Sequence, residues 1–210
     1  MINHLNILLF VILLESPIAM AQLVKSYGLK AGVDAATQSY DYHDHPYLHS
    51  SLNTSYRWGI AVGGELEFFE WPLLGISAEL FYIQKGYSIP IELTSAQLPE
   101  GTGNFITFQP RVDYFSVAST ARLKFESIKP TPYALFGPRI DFLIGKNETS
   151  LDLNSPDIGA TLGVGIQFLI ESFPEFFIEG RFSPSFTDAF HGQFLTVKNK
   201  SFEILTGVRF

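Results

Sequence analysis

Eight segments of this chain alternate, residue by residue, between an uncharged face and a face that carries charge. A period of two can serve two different surroundings only on extended strands, because successive side chains of a strand point to opposite sides. The segments lie near 27–37, 57–69, 75–87, 112–125, 132–144, 157–169, 176–186 and 197–210. Gly159, Gly163 and Gly165 fall within one of them; they would cripple a helix but can sit on the crowded inner wall of a narrow barrel. The spacing predicts an all-β fold of eight antiparallel strands, joined up-and-down and closed into a barrel.

The two faces differ in chemistry. One holds Leu29, Val33, Ala35, Trp58, Ile60, Val62, Leu66, Phe68, Leu80, Val117, Phe136, Ile140, Leu162, Val164, Ile178, Phe202 and Ile204, and no member of it is charged. The other holds Lys30, Asp34, Glu65, Glu67, Glu79, Lys85, Arg122, Lys124, Arg139, Asp141, Glu179, Arg181, Glu203 and Arg209, seven acids against seven bases. In a membrane the uncharged face meets lipid, where an Arg or Lys at the midplane costs about 2–4 kcal/mol. A soluble carrier of lipocalin type would turn the same faces the other way, and it accounts for the alternation equally well.

Other features favour the membrane orientation. Leu5 to Leu14 is apolar except for Asn6, too short to span a bilayer as a helix, and Ala19-Met20-Ala21 follows it. This pattern is expected of a cleavable signal peptide over 1–21, leaving 22–210 as one barrel domain, although the leader carries no Lys or Arg before its apolar core. The chain has no Cys, which excludes disulfide staples, metal thiolates and an acyl-Cys anchor. Beyond the leader, no segment offers the roughly 18 consecutive apolar residues of a helical span. The net charge of −7 without basic runs argues against nucleic acid. The closing strand ends on Phe210, which resembles the C-terminal signal by which bacterial outer-membrane barrels are recognised for assembly.

The connections fall into two alternating kinds. Those at 70–74, 126–131 and 170–175 are short, while 38–56, 88–111, 145–156 and 187–196 are longer and polar. Outer-membrane barrels combine short periplasmic turns with longer extracellular loops, so the parity predicts both termini in the periplasm. Trp58, Trp71, Tyr27, Tyr82, Phe173 and Phe190 fall near strand ends, as an interfacial aromatic girdle would. An eight-stranded barrel has just enough interior for side chains. The balanced charges therefore read as a mutually neutralising network that plugs the lumen.

Several stretches, in order along the chain, resemble the PorT-like outer-membrane β-barrel proteins of Bacteroidota. They are Gly28-Leu29-Lys30-Ala31-Gly32-Val33, Ala78-Glu79-Leu80-Phe81-Tyr82-Ile83-Gln84-Lys85-Gly86, Lys129 to Pro138, Asp157-Ile158-Gly159 with Gly163-Val164-Gly165, and Lys198 to Phe202 with Gly207-Val208-Arg209-Phe210. The run Val117-Ala118-Ser119-Thr120-Ala121 departs from the family pattern, being smaller and more polar. The resemblance implies an outer-membrane address and fold, and it carries over no catalytic residue. The PorT name suggests a second role, as accessory barrel of a secretion or gliding apparatus.

Two constellations invite chemistry. The first long loop places His43, His45 and His49 beside Asp41 and Asp44, ligand types that suit a divalent transition metal such as zinc. A solvated, tyrosine-rich loop is the plainer reading, and no metal or cofactor is assigned. His49-Ser50-Ser51, and Ser183 and Ser185 with Asp188 and His191, supply nucleophile and base types without the strained elbow that would mark a hydrolase. The sequence is therefore read as a non-catalytic, monomeric outer-membrane barrel. Its expected partners are outer-membrane lipid, the assembly machinery through the last strand, and an extracellular or secretion-system protein.

Overall fold

A computed structural model describes residues 24–42, 54–94, 102–125, 127–147, 155–169, 173–191 and 195–210, and every structural statement concerns these. The strands are β1 (Ser26–Tyr42), β2 (Arg57–Glu70), β3 (Leu74–Gly86), β4 (Ile89–Glu92), β5 (Phe105–Phe108), β6 (Arg111–Lys124), β7 (Thr131–Lys146), β8 (Asp157–Phe168), β9 (Glu175–Pro184), β10 (Phe190–His191) and β11 (Leu195–Arg209). Eight long antiparallel strands follow one another in the order β1-β2-β3-β6-β7-β8-β9-β11, and β11 returns to pair with β1. That seam runs from Gly28 opposite Arg209 to Tyr42 opposite Leu195. Closure leaves the eight strands without an unpaired edge, the condition for backbone to cross hydrocarbon as strands.

The faces settle the orientation. All fourteen charged residues of the polar face are at most 5% exposed. Leu29, Trp58, Leu80, Val164 and Ile204 on the other face are more than half exposed. A contiguous apolar surface wrapping a whole barrel has no counterpart on soluble monomers, whereas lipid receives it without cost. The lipocalin-type arrangement needs the charges outside and is ruled out by this inversion.

Details of the strands depart from strict alternation at identifiable places. A bulge between Glu67 and Phe69 shifts the β2–β3 register, so that Phe69 is 46% exposed beside a half-buried Phe68. Ala35, in phase with the outward face, is buried between its larger partners Trp58 and Phe202. The stretch 88–111 is not wholly loop: β4 and β5 form a separate two-stranded hairpin, with Ile91 opposite Ile106. A short β10 pairs with β11, Phe190 opposite Val197, and β1 continues to Tyr42. Residues 1–21 lie outside the described residues.

Candidate functional site

Among the described residues, chemistry-bearing side chains converge in the charged interior, which divides into two tiers. Inner-face positions of β1, β2, β3, β6, β9 and β11 supply the tier nearer the chain termini. There Lys30 Nζ lies 2.8 Å from Glu65, 2.9 Å from Glu79 and 2.8 Å from Glu179, one ammonium matched to three carboxylates. Arg181 grips Glu79 in a fork, with Nη1 and Nη2 donating over 2.6 and 2.9 Å. Arg209 donates to Glu65 through Nε and Nη2 at 2.8 and 2.6 Å and also pairs with Glu175. Arg122 donates to Glu65 at 2.8 Å, and Lys124 stands 3.6 Å from Glu67.

Aromatic rings line the same tier, and the alternation of charges alone did not reveal them. Phe177 lies beneath both Lys30 and Arg209, at 5.2 and 5.0 Å from its ring centre, Tyr133 beneath Arg122 at 5.1 Å, and Phe81 beneath Arg181 at 5.6 Å. Each ring faces a glycine across the ladder: Phe81 faces Gly63, Tyr133 faces Gly165 and Phe177 faces Gly207. A Cβ at Gly165 would stand 2.4 Å from the Tyr133 ring, and one at Gly207 would stand 2.4 Å from the Phe177 ring. The glycines therefore provide the space in which the rings lie flat against the wall. A sequence signal existed, since aromatics and glycines alternate in phase with the charges.

The second tier lies toward the long loops. Arg139 donates to Asp141 at 2.8 Å and to Ser183 Oγ at 3.0 Å, and it pairs with Glu203. Lys85 reaches the other oxygen of Asp141 at 2.6 Å. Asp34, fully buried, is the member of the fourteen that this network leaves aside: neither of its carboxylate oxygens has a hydrogen-bond partner. Asp113 and Asp157 are also buried here and were missed from sequence. Asp113 adjoins a bulge that shifts parity, and Asp157 is the first residue of its strand. Asp157 accepts from Ser185, Thr187 and Asn199 at 2.8, 3.0 and 2.8 Å.

Most of these pairs join strands that are not neighbours in the sheet: β1 to β3 and β9, β2 to β6 and β11, β3 to β7 and β9, β7 to β11. They cross the lumen. Thr120 of β6 serves this packing, donating to Glu79 at 3.2 Å and sharing a hydrogen bond of 2.8 Å with Ser77.

Ser183 is buried against Arg139 and Thr161, Ser185 donates to Asp157, and Asp188 stands 3.9 Å from Lys198. His43, His45, His49, Ser50 and Ser51 lie outside the described residues, as does the side chain of His191. Among the described residues no group of three or more His, Cys, Asp or Glu is placed to hold a metal ion. Phe210 pairs with Tyr27 by two backbone hydrogen bonds, of 2.8 and 3.1 Å, and their rings stack at 5.4 Å.

Residues 20–191 match the family described as outer membrane protein beta-barrel domain. Among solved structures, Neisserial surface protein A is similar with a TM-score of 0.51 at 14% identity, over 87% of this chain and 95% of that one. Ail of Yersinia pestis, in complex with the heparin analogue sucrose octasulfate, gives 0.43 at 15% identity over 88% and 98%. OprG of Pseudomonas aeruginosa gives 0.48 at 8% identity over 88% and 95%. No curated protein matches the chain by sequence.

Proposed function

The chain belongs to the outer membrane protein beta-barrel domain family and resides in the outer membrane, and from that premise we propose that it is a non-catalytic surface-interaction protein with a plugged lumen. The observation that carries this is the β4–β5 hairpin. It lies on the long-loop side of the barrel, and Ile89, Ile91, Ile106 and Phe108 share one of its faces by register, with Ile91 and Ile106 about half exposed. Apolar side chains held clear of the lipid-facing wall on a loop are what a binding surface needs and what barrel stability does not.

A second reading, the accessory barrel of a secretion apparatus suggested by the resemblance to PorT-like proteins, would place partners on the periplasmic turns instead, where Trp71 is 57% exposed. Photocrosslinking side chains at Ile106 and Trp71 in intact cells separate the two. Protein adducts at Ile106 are expected, and adducts at Trp71 alone overturn the surface reading in favour of the accessory one.

A further inference from the structure

We propose that the outer wall over β7, β8 and β9 holds one acyl chain of a periplasmic-leaflet phospholipid, with the lipid phosphate at Lys129. Three hollows of about 480, 610 and 750 Å³ lie on this quadrant of the lipid-facing surface. The first adjoins the second through Phe168 and Ile178 and the third through Ala134 and Val164, so they form one continuous groove. Its lining combines Gly163, Gly165 and Gly180 with large outward side chains such as Phe168 and Phe182. Gly180 faces outward, and a Cβ built on it would meet nothing within 4 Å.

Lipid chains sweep over the entire outer face, and two features set this groove apart. The first is its length. From Gln167 at one end to Leu162 at the other is five residues of β8, about 17 Å at roughly 3.3 Å per residue. On a strand tilted about 45° that is about 12 Å of membrane depth, close to half of an apolar band about 25 Å tall. The groove is one leaflet deep. The second is charge: the end at the β6–β7 turn is bordered by the exposed Lys129, which has no ion-pair partner among the described residues. An acyl chain with an anionic phosphate at one end matches an apolar channel with a cation at its rim, and by loop parity that rim is periplasmic.

The test uses the full-length protein in nanodiscs containing phosphatidylglycerol with a diazirine on one acyl chain. Adducts are expected to concentrate on the segments carrying Ala134, Val164 and Ile178. Lys129→Glu and, separately, Gly180→Leu should each lower them severalfold while leaving adducts on β1 and β2 unchanged. Both changes are compatible with the fold, one on an exposed turn and the other into open space, and heat-modifiable migration verifies assembly of each. Adducts spread around the barrel in proportion to exposed area, or unmoved by both substitutions, overturn the proposal. Because the labelled product is lipid, the outcome is independent of whether the hairpin captures a protein.

Discussion

Asp34 and Glu203 stand directly opposite one another across the β1–β11 seam, both carboxylates buried in the lumen. They are served unequally. Glu203 pairs with Arg139 and accepts from Ser201, whereas Asp34 has no hydrogen-bond partner. Like charges directly opposite in a sheet are destabilising, and a buried polar group without a partner costs about 1–3 kcal/mol.

Opposite effects are therefore expected from two isosteric substitutions. Asp34→Asn removes the repulsion and should leave stability unchanged or raise it. Glu203→Gln takes the charge from the partner of Arg139 and should cost up to about 3–5 kcal/mol, the range for breaking a buried pair. Urea unfolding in lipid vesicles, followed by the heat-modifiable gel shift, measures both. Equal losses for the two would show that Asp34 is a full member of the network.

The glycine–aromatic pairs make a second, separable claim. A methyl group at Gly165 would come within 2.4 Å of the Tyr133 ring and 2.8 Å of the Ile178 carbonyl oxygen. Gly165→Ala should lower stability by about 1–3 kcal/mol, the usual cost of overpacking. Shortening the ring in Tyr133→Leu should restore part of the loss, and the carbonyl contact accounts for the remainder. A double-mutant cycle reads the coupling. Strict additivity would mean that the ring does not need the glycine.

At the end of the seam, Phe210 contributes a stacked ring to Tyr27 as well as two backbone bonds. Phe210→Ser keeps the backbone bonds and removes the ring. If the side chain serves recognition by the assembly machinery, this change lowers the yield of assembled barrel in cells while the exported chain still reaches the periplasm. The purified variant, refolded in detergent, should then be nearly as stable as the parent. Unchanged assembly in cells would remove Phe210 from that role.

The barrel was legible because closure against lipid enforces parity: a one-residue slip would place Glu79 or Arg122 in hydrocarbon, so each strand reveals its face. The fourteen inward charges follow from that rule alone. Their pairing does not, since Arg181 meets Glu79 across the lumen from a strand that is not adjacent to it. Curvature and stagger decide such contacts, and no local pattern encodes them. Parity also fails at bulges, which is why Phe69 and Asp113 escaped. The β4–β5 hairpin escaped because two four-residue strands, one of them carrying Pro90, look like loop.

The lumen network has a functional consequence that stability measurements do not reach. Lys30 alone contacts carboxylates from β2, β3 and β9, and Arg181 reaches β3 from β9, so side chains bridge the interior. The plugged lumen proposed above rests on these bridges. The purified protein in planar bilayers should show no large, stable conductance. Replacing the bridging residues with small ones, as in Lys30→Ser together with Arg181→Ser, removes two side chains that span the interior and leaves Glu79 and Glu179 without the cations they pair with. If the barrel stays assembled, discrete cation-selective openings should appear in that double variant. A stable large conductance in the unmodified protein would instead mean that the network rearranges in the membrane, and the reading would move toward a porin.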